Sequence, residues 1–184
     1  FKVKEASRPP NCITQLAQKY LEANIAPDRI KRKVKRLRRS SRNLGLKEIE
    51  DILDQFISET VLPGRNRKGT RSGLFGEFLS EEVMVRINGY ERLIYKLRHR
   101  EASDWAPKLI DVCVVRKDTT ATLCLIEVKT NSSQTKNSIL VEGLNSLLKA
   151  LEHKHEALMF ISRELEKQHR FEEADFIEEI AYFK

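Results

Sequence analysis

The stretch ATLCLIEVKT, residues 121–130, decides how the rest of the chain is read. It is apolar or β-branched over most of its length and contains neither Gly nor Pro, so the composition predicts a strand over Ala121–Thr130. Side chains on a strand alternate faces, which puts Glu127 and Lys129 on one side and Val128 on the other. A carboxylate and an ammonium thus stand together at the end of a hydrophobic run, where charge is costly unless it is paired or metal-bound. The preceding run, KLIDVCVV, carries a third charge, Asp111, among apolar neighbours. Two readings stand at this point: a metal-dependent phosphodiesterase site, or an ordinary ion pair.

Working outward, KDTTA separates strands expected at Lys108–Arg116 and Ala121–Thr130, a hairpin-length turn. RLIYKLRH (92–99) reads as a preceding strand and EALMFIS (156–162) as a fourth. Helices are expected over Leu74–Ile87, Ser138–His153 and Arg163–Tyr182, with Asn88-Gly89 closing the first. Counting 100° per residue puts Glu77 on a stripe with Leu74, Glu81 and Met84. The order helix, three strands, helix, strand, helix predicts an α/β fold with a mixed four-stranded sheet flanked by helices. We place this domain at residues 73–184.

Residues 1–72 form a separate, basic helical extension in this reading. They hold 18 Lys/Arg against 8 Asp/Glu, a balance of +10; the remainder holds 16 against 19, a balance of −3. Within DRIKRKVKRLRRSSR (28–42), Ile30, Val34 and Leu37 recur at helical spacing among nine Lys/Arg. Arg32, Lys33, Lys35, Arg36, Arg38 and Arg39 are the candidate nucleic-acid contacts, since such clusters gain affinity by releasing counterions. A solvated face or an acidic protein partner would use the same residues. Leu46–Leu62 is an amphipathic helix, Pro63-Gly64 stops it, and PGRNRKGTRSG (63–73) is expected to be a loop. GxGxxG and GxxxxGK[ST] are both absent, so no nucleotide-binding loop is assigned.

Three cysteines without CxxC spacing argue against a disulfide framework or a cysteine-based zinc site, and point to a reducing, cytoplasmic compartment. No run reaches the 18 apolar residues of a membrane-spanning helix. The chain begins with Phe, and we expect it to be a piece of something longer. His153 and His155 read as surface residues and Trp105 as a packing residue. Asn131 and Gln134 follow Lys129 and could touch a substrate, though their spacing does not demand it.

Phosphodiester hydrolysis uses a hard divalent cation held by carboxylates. A neighbouring lysine can orient water and neutralise the phosphate. Asp111 and Glu127 are therefore expected as ligands for Mg²⁺ or Mn²⁺, Lys129 as the water-orienting cation, and Glu77 as a supporting acid. Glu77 on a helix, Asp111, then Glu127-Val128-Lys129 resembles the PD-(D/E)xK nuclease superfamily, and the resemblance covers residues 73 to about 165. It implies a restriction-endonuclease-like core and a nucleic-acid substrate, DNA or RNA, with DNA favoured. Within that superfamily, Gly76-Glu77-Phe78-Leu79 followed by the two acidic strands is similar to the Hachiman antiphage nuclease subunit. That likeness implies an endonuclease effector working with a helicase or ATPase partner. The alternative is a catalytically silent binding or scaffold subunit of a larger nucleoprotein complex.

Overall fold

In the computed structural model, the described residues are 11–40, 45–61, 68–87, 89–99, 110–116, 121–130 and 138–183. The chain divides into two compact units, Phe1–Val61 and Leu62–Lys184.

The first unit contains three helices, α1 Cys12–Asn24, α2 Pro27–Ser40 and α3 Leu46–Val61. Pro27 begins α2, where a missing N–H costs nothing. Asp28 lies in its first turn and Arg38 and Arg39 in its last, an order that suits the helix dipole. Gly45 N–H donates to Glu48 Oε2 at 2.8 Å, satisfying one free donor at the start of α3. Arg29 and Lys33 lie over the Phe56 ring at 5.6 and 5.4 Å, so cationic stems of α2 cover an aromatic of α3.

The second unit begins with α4, Lys68–Ile87, followed by β1 Glu91–Arg92 and a 3₁₀ turn Lys96–His99. Then come β2 Val112–Arg116, β3 Thr122–Ile126, α5 Ser138–Glu152, α6 Lys154–Lys167 and α7 Phe171–Phe183. The sheet is an antiparallel meander in the order β1-β2-β3. Val112 pairs with Ile126 and Arg116 with Thr122. Cys113 and Val115 join Leu158, Ile161, Leu165, Ala174 and Ile177 in one core, which seats the α6–α7 hairpin on one face. Alternation turns Val112 and Val114 to the other face, and α4 packs on β2 there. Arg92 ties α4 to β1 through Glu81 at 2.9 Å and Glu82 at 2.6 Å.

The expected α/β fold with a mixed four-stranded sheet is overturned: the described residues are mostly helical around three short antiparallel strands. The fourth strand is absent because EALMFIS lies inside α6. A short apolar run cannot distinguish strand from helix by itself. The wider segment can: its buried residues Ala157, Leu158, Ile161 and Leu165 recur at helical spacing. The first strand is likewise only two residues long. Leu93, Ile94 and Leu97 are all buried, a pattern of consecutive and three-spaced positions that a strand cannot present to one face.

Other boundaries shift as well. The charged helix expected at Arg163–Tyr182 is two helices, broken at His169, which has φ 59. There Arg170 Nη1 donates to Leu93 O at 2.6 Å and pins the break to the sheet side. Helix α4 starts at Lys68, so Thr70–Gly73 are helical and not loop. Lys108 and Leu109, which opened the expected second strand, lie outside the described residues, as do Trp105, Asn131 and Gln134.

Candidate active site

Strands β2 and β3 stop pairing at Val112 and Ile126, so Asp111 and Glu127 lie just beyond the ladder and not within it. The interaction continues through a side chain: Val128 N–H donates to Asp111 Oδ2 at 2.8 Å. Asp111 thus takes up a backbone donor left over where the sheet ends. Glu127 and Lys129 remain on a common side, and Lys129 Nζ pairs with Glu127 Oε1 at 2.7 Å.

Glu77 reaches the same end of the sheet from α4, and Gly76 explains how. A Cβ on Gly76 would lie 2.1 Å from Thr130 Cγ2. Only a residue without a side chain lets the α4 backbone come so close to the segment after β3. The adjacent Glu77 is thereby carried to the acidic cluster. Burial is the largest influence on its carboxyl and raises its pKa. Lys96 opposes that shift, while the charges of Asp111 and Glu127 add to it. All three acids therefore share one electrostatic field.

Sequence reasoning missed the residue at the centre of this cluster. Lys96, on the 3₁₀ turn, lies 3.3 Å from Glu77 Oε2 and 3.1 Å from Asp111 Oδ1. Glu77 Oε2 is buried and, beyond that ion pair, has no well-oriented hydrogen bond among the described residues. RLIYKLRH contains the lysine, but reading it as a strand hid the turn that aims it. Beside the cluster, a cleft of about 310 Å³ opens between Glu127, Lys129 and the α5 residues Ile139, Leu140 and Gly143. Gly143 would carry its Cβ 3.5 Å from Lys129 Cγ, ordinary contact, so α5 borders the lysine stem.

The donor chemistry suits a hard cation: three carboxylates from separate elements, one with a buried oxygen short of hydrogen bonds. The arrangement is nevertheless closed. Among the described residues, no three His, Cys, Asp or Glu side chains converge as a metal-holding group.

The sequence model of the HamA family matches residues 3–182, nearly the whole chain. The chain belongs to the HamA family. HamA is the Hachiman antiphage nuclease subunit. No curated protein and no solved structure matches the chain. As a HamA chain it has no helix, among the described residues, long and apolar enough to cross a membrane.

The basic candidates all lie on α2, in the other unit. Arg32, Lys35, Arg36, Arg38 and Arg39 are exposed and Lys33 is half-buried. Arg29, Arg32, Lys33 and Arg36 line a second cleft of about 310 Å³ floored by Phe56. His153 and His155 are exposed, as expected. Cys113 is buried, Cys124 partly buried and Cys12 exposed, and all three are free thiols.

Proposed function

We propose that this HamA chain is a metal-dependent endonuclease, the effector that cuts nucleic acid in Hachiman defence, with DNA as the favoured substrate. The observation that carries the reading is the meeting of Glu77, Asp111, Glu127 and Lys129 at one end of the sheet, with Asp111 34 positions after Glu77 and Glu127 16 positions after Asp111. Asp111 and Glu127, supported by Glu77, would hold Mg²⁺ or Mn²⁺. The bound cation would supply Lewis acidity and an acidified water. Lys129 is the most exposed of the four and borders the cleft, which supports a role in which it would meet a phosphate oxygen and orient the attacking water. Val128 N–H fixes the rotamer of Asp111. Residues Arg32, Lys33, Lys35, Arg36, Arg38 and Arg39 would hold the backbone without reading sequence. A helicase or ATPase subunit is the expected partner, and the cytoplasm the expected compartment.

A second reading is favoured by one specific feature. The direct pair between Lys129 and Glu127 satisfies both charges internally, as a silent scaffold subunit of a nucleoprotein complex would. Cleavage of plasmid and linear DNA with Mg²⁺, with and without the partner subunit, separates the two. Lys129→Ala and Glu127→Ala should each lower cleavage at least a hundredfold with an unchanged melting curve. Undiminished cleavage in both variants sinks this site. No cleavage by the wild type under any of these conditions favours the scaffold.

A further inference from the structure

The position between Glu77 and Asp111 is held by a cation that the chain itself supplies. Burial of Leu93, Ile94 and Leu97 fixes the 3₁₀ turn against the core and aims Lys96 inward. Its side chain is 11% exposed, and the Glu77 and Asp111 side chains are 15% and 16% exposed. An ammonium so enclosed needs both acids. Two carboxylates so enclosed need a cation. Lys129, by contrast, is 34% exposed and pairs with Glu127, so the two lysines serve different acids.

We propose that Lys96 is a tethered counter-ion of the cation site, whose ammonium keeps Glu77 and Asp111 in a closed arrangement and must withdraw before both can face a divalent cation. The inference rests on the reading of these carboxylates as ligands. An ammonium 3.1 and 3.3 Å from the two oxygens takes up the acceptors that a divalent cation held by both would need, and its like charge would repel that cation. Shielding from water leaves that repulsion weakly screened. The lysine stem has four rotatable carbons, and it springs from a short 3₁₀ turn with weaker hydrogen bonds than an α-helix. Withdrawal therefore needs no rearrangement of the sheet. A lysine that merely pinned α4 to β2 would differ: its removal would loosen the acids and weaken cation binding.

Mn²⁺ titration of the full chain without nucleic acid, by calorimetry or electron paramagnetic resonance, tests this on wild type, Lys96→Met and Lys96→Arg. Lys96→Met should bind Mn²⁺ at least tenfold more tightly, and Lys96→Arg, which keeps the charge, should not. In the wild type, acetylation of Lys96 read by mass spectrometry should rise severalfold on saturation with Mn²⁺, while exposed Lys149 stays unchanged. Equal or weaker Mn²⁺ affinity in folded Lys96→Met overturns the counter-ion, and so does Lys96 labelling that saturating Mn²⁺ leaves unmoved. Should Lys96→Met fail to fold, the wild-type labelling decides. Absence of Mn²⁺ binding in every form overturns the nuclease site along with it. Mn²⁺ binding that Lys96→Met does not tighten overturns the counter-ion alone.

Discussion

Gly76 and Thr130 show how single residues place the acidic cluster. Because a Cβ at position 76 would meet Thr130 Cγ2 at 2.1 Å, Gly76→Ala should push α4 away and cost about 1–3 kcal/mol, as overpacking does. Thr130→Ser removes the clashing methyl and leaves Cβ and Oγ1 at 3.3 Å. The double variant should therefore recover much of the stability, giving a measurable coupling in urea unfolding. Additive losses would mean that the contact does not set the spacing. At this scale the sequence was informative about charge and silent about geometry. Asp111, Glu127 and Lys129 stood out because charges in apolar runs demand partners. Lys96 did not, since one lysine among Arg92, Arg98 and His99 carries no local signal of where it points.

At the scale of elements, helix α4 is joined to β1 through Arg92, which meets both Glu81 and Glu82. Burial is the largest influence on Glu81, and it pushes the pKa up to about 7 against the pull of Arg92. In the unfolded chain Glu81 releases its proton near the ordinary value of 4.5. Between those two values the folded state binds more protons, so stability falls as pH rises from about 4.5 to about 7 and levels off above. Glu81→Gln should flatten that decline, which can reach about 1.4 kcal/mol per pH unit for one group. Denaturation at pH 5 and pH 7.5 measures it, and equal slopes in both proteins would contradict the assignment. Legibility of the elements followed their periodicity. The helix spanning Leu46–Val61 and the two strands of the central hairpin were readable because their patterns extend over several residues. EALMFIS misled because seven residues do not separate a period of 2 from one of 3.6. Only the flanking Leu165 resolves them.

Across the whole molecule, charge and chemistry are segregated. The cation-rich face of α2 lies in one compact unit and the acidic cluster in the other. A nuclease that grips backbone non-specifically would have use for both: under the proposed function one unit would supply affinity and the other hydrolysis. Reversing Arg36, Arg38 and Arg39 to Glu should weaken DNA binding at least tenfold at moderate salt and flatten its dependence on salt concentration. An unchanged salt slope would reassign α2 to contacts with an acidic protein. The basic excess of residues 1–72 was visible in composition alone. The antiparallel order of the three strands was legible too, but the limit of the described sheet to those three was not, because it depends on α6 and α7 covering one face.

The central claim is that Glu77, Asp111 and Glu127 form a cation site whose chemistry Lys129 completes. Anomalous diffraction from crystals of the chain soaked in Mn²⁺ tests this most directly. The account predicts a peak bounded by the Asp111 and Glu127 carboxylates, with Lys96 turned away from Glu77. Crystals saturated with Mn²⁺ that show no such peak, and in which Lys96 still bridges Glu77 and Asp111, would contradict it.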